Sequence, residues 1–146
     1  MTPVHIREAH ASDAPTLTKL IVDLGHPITE ADIRRNLEKL ATMGFLPLVA
    51  ATGEDVIGLC GLFETVAIHR DAPVGRISIL VVAEEHRNDG IGALLVAEAE
   101  KRLAARGCKI IEVTSNQRRE RAHGFYERLG YERTSFRFMK RLESGL

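Results

Sequence analysis

Apolar and polar positions change period along the chain, and each period predicts an element. Val4 and Ile6 alternate with His5 and Arg7, the pattern of a half-buried strand. Ser12 and Asp13 then offer a helix start, with Pro15 tolerated near it. Leu17, Leu20, Ile21 and Leu24 recur at helical spacing until Gly25-His26-Pro27 breaks the run. Thr29 opens a second helix, with Asp32 in its first turn, Ile33, Leu37 and Leu40 facing inward, and Gly44 after its end. Residues 46–52 and 56–63 read as strands joined by the turn Gly53-Glu54-Asp55; Gly58 and Gly61 predict a bulge or a close backbone approach. Residues 76–82 form a further strand, whose apolar end predicts burial on both faces. A long helix from about Gly90 presents Ile91, Leu94, Leu95, Ala99 and Leu103, and Gly107 stops it. Residues 109–114 read as a strand, about 118–129 as a helix burying Ala122, Phe125 and Leu129, and 133–140 as a last strand with Phe136 and Phe138 on one face. The order β-α-α-β-β-β-α-β-α-β predicts an α/β fold, a mixed sheet with helices on both faces, in one domain over residues 1–146.

The 146 residues are 45% apolar and 27% charged, enough to bury a core without metal or disulfide staples. No apolar run reaches the length of a membrane span, and the first residues lack a signal-peptide pattern, so a cytoplasmic protein without membrane partners is expected. Cys60 and Cys108 lack the spacing of a zinc site and sit in apolar runs, so no metal is expected. The formal net charge is zero, which argues against a nucleic-acid partner. Within that neutrality, residues 101–146 carry twelve Lys or Arg against five Glu. That excess reads either as a solvated basic helix face or as a field favouring an anionic ligand.

The candidate chemistry lies between the strand at 76–82 and the long helix. Arg87-Asn88-Asp89-Gly90-Ile91-Gly92 can form a tight turn that aims backbone N–H groups one way. The first N–H groups of the following helix lack intrahelical acceptors, so turn and helix start together make an anion nest. Leu95 stands where a dinucleotide fingerprint needs its third glycine, and no Gly-Lys-Ser/Thr is present, which excludes the two commonest nucleotide loops.

Arg87-x-x-Gly90-x-Gly92 resembles the Arg/Gln-x-x-Gly-x-Gly/Ala signature of the GNAT N-acetyltransferases. Asn116 at a strand end, followed by Phe125-Tyr126-x-x-Leu129-Gly130-Tyr131 on the next helix, is typical of the same family, and the element order agrees over nearly the whole chain. The resemblance implies a GNAT fold and transfer of the acetyl group of acetyl-CoA directly to an amine of a small molecule, peptide or protein. It implies that the amides of Asn88, Asp89, Gly90, Ile91, Gly92 and Ala93 hold the coenzyme A pyrophosphate with the Arg87 side chain beside them. The backbone of Leu80, Val81 and Val82 would pair with the pantetheine arm where the fourth and fifth strands splay, Asn116 would hydrogen-bond that arm, and Tyr126 would lie near the sulfur.

Two positions depart from the family pattern. Asp89 puts a carboxylate where Lys, Arg or Gly is common, and it should oppose a pyrophosphate unless it points to solvent or pairs with Arg87. The stretch Arg76-Ile77-Ser78-Ile79 lacks the glutamate that many relatives use as general base. Candidates for that task are a water held by Ser78, Glu64 at a strand end, and His26 and His69, two loop residues that by analogy would rim the acceptor pocket. Tyr126 is the candidate proton donor to the departing thiolate. The missing carboxylate also raises the alternative of a non-catalytic acyl-CoA sensor. An exposed edge near 133–140 offers a strand for pairing across a homodimer.

Overall fold

The computed structural model describes residues 3–114 and 120–143. The chain divides into two compact units, Met1–Thr114 and Ser115–Leu146. The first holds strands β1 (Val4–Glu8), β2 (Leu48–Thr52), β3 (Asp55–Thr65), β4 (Val74–Val82) and β5 (Ile110–Val113), with helices α1 (Ala14–Leu24), α2 (Glu30–Met43) and α3 (Ile91–Ala105). The second holds α4 (Glu120–Arg128).

The five strands lie in sequence order. The first four pair antiparallel and β5 pairs parallel to β4, so the α3 crossover gives the mixed sheet expected. One face packs on α1 and α2, where Leu17, Leu20, Ile33 and Leu37 meet Val49, Leu59 and Val81. The other packs on α3. In β2, Leu48, Val49, Ala50 and Ala51 are all fully buried, because the strand is covered from both sides. No helix among the described residues is long and apolar enough to cross a membrane.

Glycines set the distance between α3 and the sheet. A Cβ on Gly58 would stand 3.0 Å from Leu95 Cδ1 and 3.3 Å from Ile91 Cγ2; one on Gly75 would stand 2.8 Å from Leu103 Cδ1. Leu95 and Leu103 are fully buried and have nowhere to retreat. The expected helix stripe is accordingly rotated: Val96 is buried, whereas Leu94 is 49% exposed, because the seats at Ile91, Leu95 and Leu103 turn it outward.

The helix starts follow the local chemistry. Thr29 and Asp32 form a reciprocal box, Thr29 Oγ1 accepting from Asp32 N–H at 3.1 Å and Asp32 Oδ2 accepting from Thr29 N–H at 3.2 Å. At α1 the starting residue is Asp13 rather than Ser12, after a short 3-10 turn at Ala11–Asp13. Asp13 is buried, accepts from His10 N–H at 2.7 Å, and takes both guanidinium nitrogens of Arg7 at 2.8 and 3.0 Å. This pair ties β1 to the entry of α1.

In the second unit, Gly130, two residues beyond the end of α4, has φ +93°. Tyr126 lies edge-on between Phe125 and Tyr131, with ring centroids 5.2 and 5.8 Å away. Two expectations fail here. Residues 133–140 form no strand, and Phe136 and Phe138 are exposed. Alternation gives a segment the capacity to be a strand, but a strand also needs a partner edge, which local sequence does not supply. The edge considered for dimer pairing is therefore absent from the described residues. Leu129, expected inside, is exposed as well.

The bidentate bond from Arg7 holds the Asp13 carboxyl below the usual carboxylate range, opposed in part by burial. A carboxylate whose folded pKa is depressed adds stability above its unfolded value of about 4, and that stability is lost as pH falls through the folded value. Asp13→Asn should cost about 2 kcal/mol at pH 7, or about 6 °C in melting temperature. The difference from wild type should shrink below about pH 3, which melting curves across the acid range will test.

Candidate active site

Strand β4 outruns its neighbour. Its last rung with β5 is Ile77 opposite Val113, while on the other side it continues to pair with β3 up to Val82 opposite Gly58. Along Ser78–Val82 one edge of β4 therefore has no strand beside it among the described residues. Ala83 N–H donates to Ile57 C=O of β3 at 2.8 Å. Strand alternation then turns the backbone groups of Val82 and Leu80 away from β3, toward the open edge. Val82 C=O accepts there from Arg87 Nε at 3.3 Å.

A bulge marks where the gap begins. Gly61 pairs with Ile79 and Leu62 with Ile77, leaving Ser78 as the extra residue. The Ser78 hydroxyl occupies the space that a Cβ on Gly61 would need, so the glycine is required by this contact. Ser78 is exposed. The bulge expected around Gly58 and Gly61 is thus real on both sides of β3; a second register shift lies between Ala50 and Ala51 of β2.

Beyond β4, a short 3-10 turn at Glu84–His86 leads to extended Arg87, then Asn88 at φ +73° and Gly90 at φ +79°. Asn88 is the one non-glycine residue with positive φ among the described residues, a conformation asparagine tolerates. Leu94 N–H is bonded to Gly90 C=O at 3.1 Å, and the N–H groups of Ile91, Gly92 and Ala93 precede that first helical bond. Asp89 is exposed, and its Oδ2 lies 3.7 Å from His86 Nδ1. β4 thus delivers an open backbone edge directly into a helix N-terminus, with Leu80, Val81, Val82 and the 87–93 turn in one continuous run.

The remaining candidates fall elsewhere. Glu64 sits opposite Gly75, at the α3 C-terminal end, bonded to Arg106 Nη2 at 2.8 Å and near Cys108 Sγ at 3.9 Å. The Arg106 guanidinium holds the Glu64 carboxyl below the usual carboxylate range, and itself stacks 4.4 Å over the Phe45 ring. Glu64 is therefore a clamp at the opposite end of the helix from the nest, on the α3 face of the sheet, not beside Ser78. His26 and His69 are exposed in their loops. Tyr126 belongs to the second unit, and Asn116 lies outside the described residues. Burial pushes the Cys60 thiol up to about 12; burial and the Glu64 charge push Cys108 up as well. Among the described residues no group of three or more His, Cys, Asp or Glu could hold a metal ion.

Sequence reasoning missed a group at the last rungs of the β4–β5 ladder. Arg76 Nη1 donates to Glu112 Oε1 at 2.8 Å and Arg76 Nη2 to Thr114 Oγ1 at 3.0 Å. The available signal was Glu112 itself, one acid inside the apolar run Ile110-Ile111-Glu112-Val113.

Known proteins are similar to this chain in sequence and fold. The model of the acetyltransferase (GNAT) family matches residues 12–131. An aminoalkylphosphonate N-acetyltransferase of Salmonella typhimurium is 35% identical over 94 residues, covering 64% of this chain and 61% of that protein. The crystal structure of a GNAT family acetyltransferase from Staphylococcus aureus superposes with a TM-score of 0.79 at 28% identity, covering 97% of this chain and all of that one. An aminoglycoside N-acetyltransferase in complex with CoA has the same fold, with a TM-score of 0.83 at 18% identity over 97% of this chain and 95% of that one. With the family model matched from the start of the first helix to the end of the last, this chain belongs to the GNAT acetyltransferase family.

Proposed function

We propose that the protein transfers the acetyl group of acetyl-CoA directly to the amine of a small acceptor. One observation carries the reading: β4 extends past β5 with an open backbone edge and runs straight into the Arg87–Gly92 turn and the α3 N-terminus. An amide-bearing arm fits such an edge as an added strand would, and a diphosphate fits the N–H groups of the helix start. Leu80 and Val82 would bind the arm; Asn88 to Ala93 would bind the diphosphate, with Arg87 beside it. Asp89 is turned toward His86, which lessens its opposition to an anion at the helix end.

Direct attack by the amine fits the two thiols better than an acetyl-cysteine intermediate. A nucleophilic cysteine needs a depressed pKa and a base. Cys60 is buried with its thiol at about 12, and Cys108 is raised beside an anion. A backbone N–H near Val82 is the candidate donor to the oxygen of the thioester as it gains charge. Tyr126 and Asn116 are assigned by resemblance, as proton donor to the departing thiolate and as a hydrogen-bond partner of the arm. The aminoalkylphosphonate specificity named for the Salmonella relative makes amines that also carry an acidic group the first acceptors to test.

Release of free CoA from acetyl-CoA across a panel of amines is the primary test. Tight acetyl-CoA binding without release under any amine would support a sensor instead. Gly90→Val should raise the CoA dissociation constant at least tenfold by calorimetry. Among the described residues, its two chain neighbours aside, no atom lies within 4 Å of the added Cβ, so the cost comes from forcing a β-branched residue to φ +79° and from crowding the nest. Tyr126→Phe should keep CoA affinity and lower single-turnover acetyl transfer by about 10²-fold or more. Full-speed transfer in a folded Tyr126→Phe would leave Tyr126 as packing.

A further inference from the structure

We infer that Glu112 is the group that receives the proton of the acceptor amine, oriented for that task by Arg76 and Thr114. The inference rests on the acetyl-transfer reading above and supplies the carboxylate that β4 lacks.

The sheet geometry places it. A Cβ on Gly75 would point at Leu103 of α3, so the next residue, Arg76, and its direct cross-strand partner Glu112 face away from α3. A Cβ on Gly58 would also point at α3, and Gly61, three residues further along β3, faces the opposite side. There it abuts the Ser78 hydroxyl. Arg76, Glu112 and Ser78 therefore share one face of the sheet, at the point where β5 ends and β4 continues alone. Only one rung, Ile77 opposite Val113, separates Glu112 from the start of the gap. Arg76 and Ile79 are three residues apart, about 10 Å of strand, which a glutamate side chain and an amine together can span.

The local bonds leave the carboxylate available. Arg76 takes Oε1, and among the described residues no hydrogen bond is formed by Oε2. The Glu112 side chain is 42% exposed, open enough to receive a solvated ammonium. Arg76 divides its guanidinium between Glu112 and Thr114, so its orientation is fixed from two sides. The charged neighbour across β4 is Arg76; Glu64, Arg106 and Cys108 group at the α3 end, on the opposite face. Glu112 thus answers the need that Glu64 does not.

The proton balance is simple. An alkylammonium must lose two protons as the C–N bond forms and the C–S bond breaks. At pH 7 only about one alkylamine in 2,500 is already neutral. Glu112 binds the ammonium, takes one proton so that the freed lone pair can attack the thioester carbonyl, and passes that proton to water. The other proton ends on the departing sulfur.

Glu112→Gln keeps shape and removes the base. Its kcat/KM with a primary amine should fall about 10²-fold at pH 7, with unchanged melting temperature and CoA affinity. The deficit should narrow as pH approaches the amine's own pKa near 10, where free amine is abundant. Arg76→Gln removes the orienting donor but keeps the carboxylate, so it should lower kcat/KM by about tenfold, clearly less than Glu112→Gln, and keep the wild-type shape of the pH profile. Glu112→Asp, which withdraws the carboxylate by one methylene, should lose at least tenfold in kcat without unfolding. Equal losses in Glu112→Gln and Arg76→Gln would show a strand latch and overturn the assignment. A pH-independent deficit, or a wild-type rate in either Glu112 variant, would overturn it too. A wild-type enzyme that binds acetyl-CoA yet acetylates no amine would remove the reaction itself, a failure distinct from an active wild type with an active Gln variant.

Discussion

Everything in the first unit depends on how closely α3 lies on the sheet. Two glycines permit that approach, Gly58 near the start of the helix and Gly75 near its end. With the helix axis pinned at both ends, its first turn has one place to be, just beyond the end of β4. The direction of its N–H groups follows from that seating together with the turn that Asn88 and Gly90 make before it. A cradle for a charged group needs such fixed donors, because donors that must reorganise around the charge lose much of their advantage. The packing layer and the chemical layer of this molecule are therefore one construction.

Legibility in the sequence followed the range of the interactions. Helix starts and stops are short-range, and Thr29, Asp32, Gly44 and Gly90 could be read directly. The nest was readable for the same reason: all its parts lie within seven consecutive residues. The two β3 glycines were recognisable as marks of something close, though not of what. What escaped depends on register. Ile77, Ile79 and Val81 look like one face of a strand, yet the bulge at Ser78 sends Ile77 toward α3 and Val81 into the α1–α2 side. Nothing local in the alternation shows that change of side.

The same limit explains the candidate bases. Glu64 was attractive as an acid at a strand end, but its surroundings come from Arg106, forty-two residues away. Arg76 and Glu112 are thirty-six residues apart and meet only because a parallel crossover aligns β4 with β5. Residues 133–140 fail in the opposite direction, with a good strand pattern and no ladder. In each case the missing information was which chain segment lies alongside.

The β4 edge that has no strand beside it among the described residues has a consequence for the life of the chain before any ligand arrives. An unpaired strand edge invites any extended peptide, including the same segment of another molecule. Here the invitation is short: the margin spans only Ser78–Val82, begins at a bulge that twists it, and has the charged Arg76–Glu112 pair at one end and Arg87 at the other. Each of these discourages the long flat pairing from which aggregates grow. Among the described residues of the first unit, a strand-length stretch of sheet edge thus goes without a partner strand, while its flanks discourage one from another molecule.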